Sequence, residues 1–142
     1  GMPGDIVQFI DGKIFLNNNE IQRKKIDNKY KIRCGPLRPD VNSYQETLPN
    51  GKKYIAVYNK QGSYKNSGIF KVPSDHYFFL GDNRDCSSDS RYLSSVGYVS
   101  DENLVGNAKI IFFSNDTISG SILKFWNWNQ SLRVERFFNL LK

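Results

Sequence analysis

Residues 81 to 91 read Gly-Asp-Asn-Arg-Asp-Cys-Ser-Ser-Asp-Ser-Arg, with three aspartates, two arginines and three serines in close succession. A guanidinium is a planar fork that can grip a carboxylate through two hydrogen bonds, so Arg84 and Arg91 have natural partners in Asp82, Asp85 and Asp89. Such a lattice would fix a backbone that lacks a regular ladder. Ser87, Ser88 and Ser90 would then be hydroxyls on a stiffened loop, able to aim a neighbouring group. The same composition also fits a salt-bridged turn with no chemistry. Other catalytic combinations are few. His76 is the single histidine, which rules out a His-rich metal site and leaves one candidate base for a Ser-His-Asp triad. Cys34 and Cys86 are too far apart for zinc-ribbon spacing and too few for a disulfide-dense scaffold, and they can pair only if the fold brings them together. No metal or cofactor is expected.

The elements that must position this loop are mostly β. Ile6–Ile10, Asp11-Gly12 and Lys13–Leu16 predict two strands around a type I′ turn, because glycine accepts the positive φ the turn requires. Asn17-Asn18-Asn19 marks a second turn. A further hairpin is expected from Tyr44–Leu48, Pro49-Asn50-Gly51 and Tyr54–Tyr58. Tyr77-Phe78-Phe79-Leu80 is a continuous apolar run, expected as a strand buried on both faces that leads directly into the charged loop. Leu104–Phe113 predicts a long core strand, and Leu132–Lys142 a short helix with a broad apolar side. The outline is one domain over residues 1–142. A core formed by 1–16 and 73–142 holds an inserted β-hairpin subdomain, residues 17–72.

At 142 residues with 39% hydrophobic side chains, the chain can bury a real core. It contains no apolar stretch near the roughly 20 residues of a membrane-spanning helix, and Gly1-Met2-Pro3-Gly4-Asp5 lacks the build of a signal peptide. The net charge of +6 owes much to Arg23, Lys24, Lys25, Lys29, Lys31 and Arg33. That run reads as a solvated loop or an edge strand, where lysine discourages aggregation. A different class of function, a basic β-barrel binding single-stranded nucleic acid, would use the charge together with eight tyrosines and ten phenylalanines. It leaves the aspartate-rich loop unexplained, because those carboxylates would repel phosphates.

Two segments carry a family likeness. Gly81-Asp82-Asn83-Arg84-Asp85-x-Ser87-x-Asp89-Ser90-Arg91, followed by Gly97-Tyr98-Val99 and Asn103-Leu104-Val105-Gly106-x-Ala108, resembles the last box of the bacterial type I signal peptidases. Gly1-Met2-Pro3-Gly4-Asp5 is similar to the end of an earlier box, usually Lys-Arg-x-x-Gly-Leu-Pro-Gly-Asp. The resemblance implies a mostly β, signal-peptidase-like barrel or sheet core with an inserted hairpin region. It also implies a serine endopeptidase that removes signal peptides, with small residues before the cut, at the outer face of the bacterial cytoplasmic membrane. The family uses a serine nucleophile from a Ser-Met-x-Pro box and a lysine base, both upstream of the Pro-Gly-Asp segment. Neither position falls within this chain, nor does a membrane anchor, so the chain alone is expected to be soluble and unable to cleave. By position, Ser87 would orient the absent lysine, and Asp89 and Arg91 would form the ion pair that holds the loop. Asp82 and Arg84 would give further support, and Asn83 would lie near the cleft. Cys86, where the family often has asparagine, is expected as a small side chain with no redox role. His76 matches no catalytic position. Lys109 is expected to face solvent. Phe125, Trp126 and Trp128, with Lys124, Arg133 and Arg136, are residue types that settle at a lipid surface, and they can equally pack in a core. The related Ser-Lys self-cleaving repressor domains lack an Asp-Asn-Arg-Asp box and fit less well.

Overall fold

A computed structural model describes residues 1–27, 40–60, 64–114, 132 and 134–140. Backbone contacts group the chain into two compact units, Gly1–Leu104 and Val105–Lys142.

The first unit is β throughout. Strands β1 (Ile6–Ile10) and β2 (Lys13–Leu16) form the expected hairpin, with Ile10 opposite Lys13. Asp11 and Gly12 both take positive φ, 49° and 73°, as a type I′ turn demands. Asn17 and Asn18 repeat the device at φ 50° and 64°, turning the chain into β3 (Asn19–Glu20). Asparagine tolerates this region because its side chain can hydrogen-bond locally. Strand β4 (Gln22–Ile26) then lies at the edge of a second sheet, paired with β5 (Val41–Thr47), which pairs on its other side with β6 (Lys53–Asn59). Lys24 and Lys25 are exposed on that edge strand. Lys29, Lys31 and Arg33 lie outside the described residues. The β5–β6 reversal runs through Leu48–Lys52, with Gly51 at φ 80°. Strand β7 (Phe70–Lys71) returns to pair with β1, giving the order β3-β2-β1-β7. Two short strands, β8 (His76–Tyr77) and β9 (Val99–Ser100), pair with each other.

Alternation along β1 sends Val7 and Phe9 inward, where they meet Ile14, Ile21, Phe70, Val72 and Phe78 in the core. The sheets form no closed barrel among the described residues. The run Tyr77–Leu80 is not a strand buried on both faces. Phe78 is buried while Phe79 is 46% exposed, because the run has the core on one side only.

The expected strand over Leu104–Phe113, nearly all of it in the second unit, does not form. It makes one isolated bridge, Ile110 to Leu140, and Val105 and Phe112 are exposed. Nor is there a helix in the tail among the described residues, where Val134–Arg136 makes a single 3-10 turn. The reason is visible in the amide bonds: Phe138 N–H donates to Ile111 O at 2.7 Å, and Ile111 N–H donates to Asn139 O. Those groups are taken by strand-like pairing, and Phe138 sits at φ 59°, which ends any helical run.

Candidate active-site loop

The loop at 81–91 is held by two separate buried ion pairs. Asp89 and Arg91 form the first. Arg91 Nε donates to Asp89 Oδ1 at 2.7 Å and Arg91 Nη2 to Oδ2 at 2.8 Å, while Gly81 N–H donates to Oδ2 at 2.9 Å. Burial on its own would raise the Asp89 carboxyl. The Arg91 hydrogen bonds, the Gly81 amide and the Arg91 charge outweigh it and hold the group below the usual carboxylate range. Arg91 also donates to Arg84 O and lies over the Tyr64 ring at 5.2 Å, so the lattice closes on itself.

Arg84 is not paired as the sequence suggests. Its partner is Glu46, on β5: Nη2 donates to Glu46 Oε2 at 2.7 Å and Nη1 to Oε1 at 3.3 Å. Both side chains are almost fully buried, at 3% and 1% exposed. The Tyr58 hydroxyl accepts from Arg84 Nη1 at 2.9 Å and donates to Glu46 Oε1 at 2.5 Å, and the Tyr54 hydroxyl accepts from Arg84 Nη2. Burial, with Glu46 adding to it, pushes the Tyr54 hydroxyl up to about 12, and burial drives Tyr58 higher still. The remaining Arg84 donor, Nε, goes to Gly81 O at 3.1 Å.

Asp82 and Asn83 contribute through the main chain. Val57 N–H donates to Asp82 O, Arg84 N–H donates to Val57 O, and a parallel bridge links Val57 to Asn83. The exposed Asp82 carboxylate accepts from Asn83 N–H rather than from either arginine. Asp85 Oδ2 accepts from Asn59 N–H at 2.5 Å. The loop is thereby stitched to the end of β6. On the other side Ser90, fully buried, takes the Phe79 amide on its hydroxyl at 2.9 Å and donates its own N–H to Phe79 O.

Ser87 is half-buried, and its hydroxyl makes no hydrogen bond among the described residues. It lies directly over Gly81, where a Cβ would stand 1.8 Å from Ser87 Oγ. Only glycine fits there. The other sequence box arrives beside the same stretch of chain. Pro3 and Gly4 (φ 84°) occupy the middle of a turn closed by Asp5 N–H to Met2 O, the arrangement of a type II turn. Asp5 accepts from Met2 N–H and Asn17 Nδ2, fixing the turn. Gly1 then pairs with Phe78 in both directions: its nitrogen donates to Phe78 O at 2.7 Å and its carbonyl accepts from Phe78 N–H at 2.9 Å. A mostly apolar cavity of about 210 Å³ opens beside it, lined among others by Gly1, Leu16, Leu48, Tyr54 and Leu80.

The structure therefore brings Ser87, Asp89 and Arg91 together around Gly81, with Arg84, Asp82 and Asn83 securing the loop's near end to β6. Cys86 is disulfide-bonded rather than a bare small side chain, contrary to expectation. His76 lies in β8, half-buried, with Nδ1 at 2.8 Å from Ser74 O. Lys109 is exposed. Lys124, Phe125, Trp126, Trp128 and Arg133 lie outside the described residues, and Arg136 is exposed. Glu46, Tyr54 and Tyr58 were not foreseen. Their signal in the sequence is faint, an acid flanked by polar residues on an amphipathic strand.

Residues 1–113 match the family model of signal peptidase, peptidase S26, and the chain belongs to that family. Signal peptidase I of Rickettsia typhi is 38% identical over 156 residues, covering 99% of this chain and 57% of that protein. Signal peptidase I of Rickettsia conorii is 37% identical, with 99% of this chain and 56% of the relative covered, and that of Rickettsia prowazekii is 37% identical with 99% and 57% covered. The chain thus spans little more than half the length of these relatives. No solved structure matches it significantly. The nucleic-acid reading finds no support in these comparisons. Tyr44 and Tyr58 lie against Arg23, and Tyr54 and Tyr58 against Arg84.

Proposed function

We propose that this chain is the C-terminal part of the catalytic domain of a type I signal peptidase, a serine endopeptidase that removes signal peptides from exported proteins. The serine nucleophile and the lysine base come from polypeptide preceding residue 1. The observation that carries this reading is the double hydrogen bond between Gly1 and Phe78. In an antiparallel pair such rungs recur at every second residue. The residue two before Gly1 would then meet Leu80, whose N–H and C=O make no hydrogen bond among the described residues. The position four before Gly1 falls opposite Asp82, beside the contact of Ser87 with Gly81. A Lys-Arg-x-x stretch places its lysine at that position.

Lysine is protonated in water and accepts a proton only where burial disfavours its charge. Apolar Phe78 and Leu80 supply the dry surroundings, and the Ser87 hydroxyl is free to accept or donate a hydrogen bond at the amine. Asp89, Arg91, Arg84, Asp82 and Asn83 act on the loop backbone, keeping Ser87 in place. An extended substrate with small residues before the cut would lie along a strand edge. The enzyme would work at the outer face of the bacterial cytoplasmic membrane, with Trp126 and Trp128 as lipid contacts and residues 17–72 as an insertion in the catalytic domain.

The test compares this chain alone with the same chain extended upstream through its Ser-Met-x-Pro and Lys-Arg-x-x segments, using a signal-peptide substrate. The extended protein should turn over and the 142-residue chain should not. Ser87→Ala in the extended protein should lower kcat/KM on the order of 100-fold and shift the pH–rate profile, because a base misplaced by an ångström loses about that much. Turnover by the short chain, or an indifferent Ser87→Ala, would overturn the reading.

A further inference from the structure

We propose that Glu46 and Tyr58, on β5 and β6, are positioning residues for Ser87, acting through Arg84 on the Gly81 carbonyl. The inference rests on the peptidase reading, which gives Ser87 its task. A guanidinium carries five N–H donors in one plane, and Arg84 uses all of them. Nε goes to Gly81 O, Nη1 to Glu46 Oε1 and the Tyr58 hydroxyl, and Nη2 to Glu46 Oε2 and the Tyr54 hydroxyl. One orientation of the plane satisfies that set. Tyr58 closes the cluster by donating to Glu46 Oε1 while it accepts from Arg84. Its own ring is gripped, edge-on to Tyr44 at 5.5 Å and beneath the Arg23 guanidinium at 5.1 Å.

The one Arg84 donor that leaves this cluster ends on Gly81, at 3.1 Å. Ser87 Oγ lies where a Gly81 Cβ would stand, 1.8 Å from that point. The placement of Gly81 therefore decides the placement of the Ser87 hydroxyl. Asp89 takes the Gly81 N–H at 2.9 Å, and Arg84 takes the carbonyl on its other side. The first fastening belongs to the loop itself. The second is aimed by Glu46 and Tyr58, 38 and 26 positions before Arg84. A buried ion pair gives little net stability over apolar residues of similar volume, but an apolar pair has no donor for the Gly81 carbonyl. Stability and positioning can thus be separated by substitution.

The test uses the double variant Glu46→Leu with Arg84→Met, and Tyr58→Phe, in the protein extended upstream through its Ser-Met-x-Pro and Lys-Arg-x-x segments. The double variant leaves no buried charge and should keep most of the natural stability in urea. Its kcat should nevertheless fall about tenfold or more, with KM unchanged and the pH–rate profile shifted. A folded double variant with natural kcat and pH profile would show that the cluster serves stability alone, and would overturn the proposal. Tyr58→Phe keeps the ion pair and loses one hydroxyl, so it decides the matter if the double variant does not fold. It should show the same signature, and a natural kcat in it overturns the role given to Tyr58. Hydrogen exchange of the 142-residue chain reads the positioning without any activity. The Gly81 and Ser87 amides, bonded to Asp89 Oδ2 and Asn83 O, should exchange about tenfold faster or more in the variants, with β1 and β2 unchanged. Unchanged exchange at both amides overturns the positioning role and leaves the peptidase reading standing. Absence of cleavage by the extended natural protein would sink that reading while the exchange result stood.

Discussion

Removing the Glu46 carboxylate would strand the Arg84 guanidinium in a site from which water is almost excluded. The penalty for an unpaired buried charge exceeds the net worth of the pair, so Glu46→Ala should destabilise the chain by about 3–5 kcal/mol in urea unfolding. Replacing both members, Glu46→Leu with Arg84→Met, should recover much of that loss, since no charge is then left behind. Additive losses in the double variant would show that the pair is not the source of the effect. The same residues explain what the sequence could and could not reveal. Asp89 and Arg91 are two positions apart, and their pairing is legible because the chain itself brings them together. Glu46 lies 38 residues before Arg84. Nothing local marks it, and the nearer aspartates Asp82 and Asp85 look like better partners until backbone bonds are seen to occupy them.

At the scale of elements, legibility follows the turns. The hairpin of β1 and β2 could be read because alternation and an Asp-Gly pair agree. The two asparagines after β2 carry a similar demand: Asn18 sits at φ 64°. Asn18→Val should lower stability by about 1–2 kcal/mol, whereas Asn18→Gly should be near neutral, in thermal or urea unfolding. Equal effects of the two would mean that the turn relaxes freely. Leu104–Phe113 could not be read correctly, for a physical reason. An apolar run reports a need for burial, but a strand also needs a partner with free amides. Among the described residues that run meets only the Ile110–Leu140 bridge. The tail failed as a helix in the same way, since a short helix needs packing to offset its costly nucleus, and Ile111 takes the bonds instead.

For the molecule as a whole, acid should act through Asp89. Its folded-state pKa is depressed, so the stability it contributes is fully present above the unfolded carboxylate value, about 3.9, and is lost as the pH falls through the lower folded value. The natural chain should therefore hold a steady Tm from neutral pH down to about 4 and lose it steeply below. Asp89→Asn should begin with a lower Tm at neutral pH and show a shallower decline in acid. Parallel curves for the two chains would exclude Asp89 as the source of the acid sensitivity.

The rung between Gly1 and Phe78 also bears on biosynthesis, since it spans 77 positions. A ribosome releases the beginning of the chain long before Phe78 emerges, so the apolar side of β1 must wait uncovered for most of the translation of this unit. The β5–β6 hairpin, closed by its own turn, can form while that wait continues. Assembly around Ser87 consequently waits until Arg91 has cleared the exit tunnel, and the pairing of β8 with β9 follows later still.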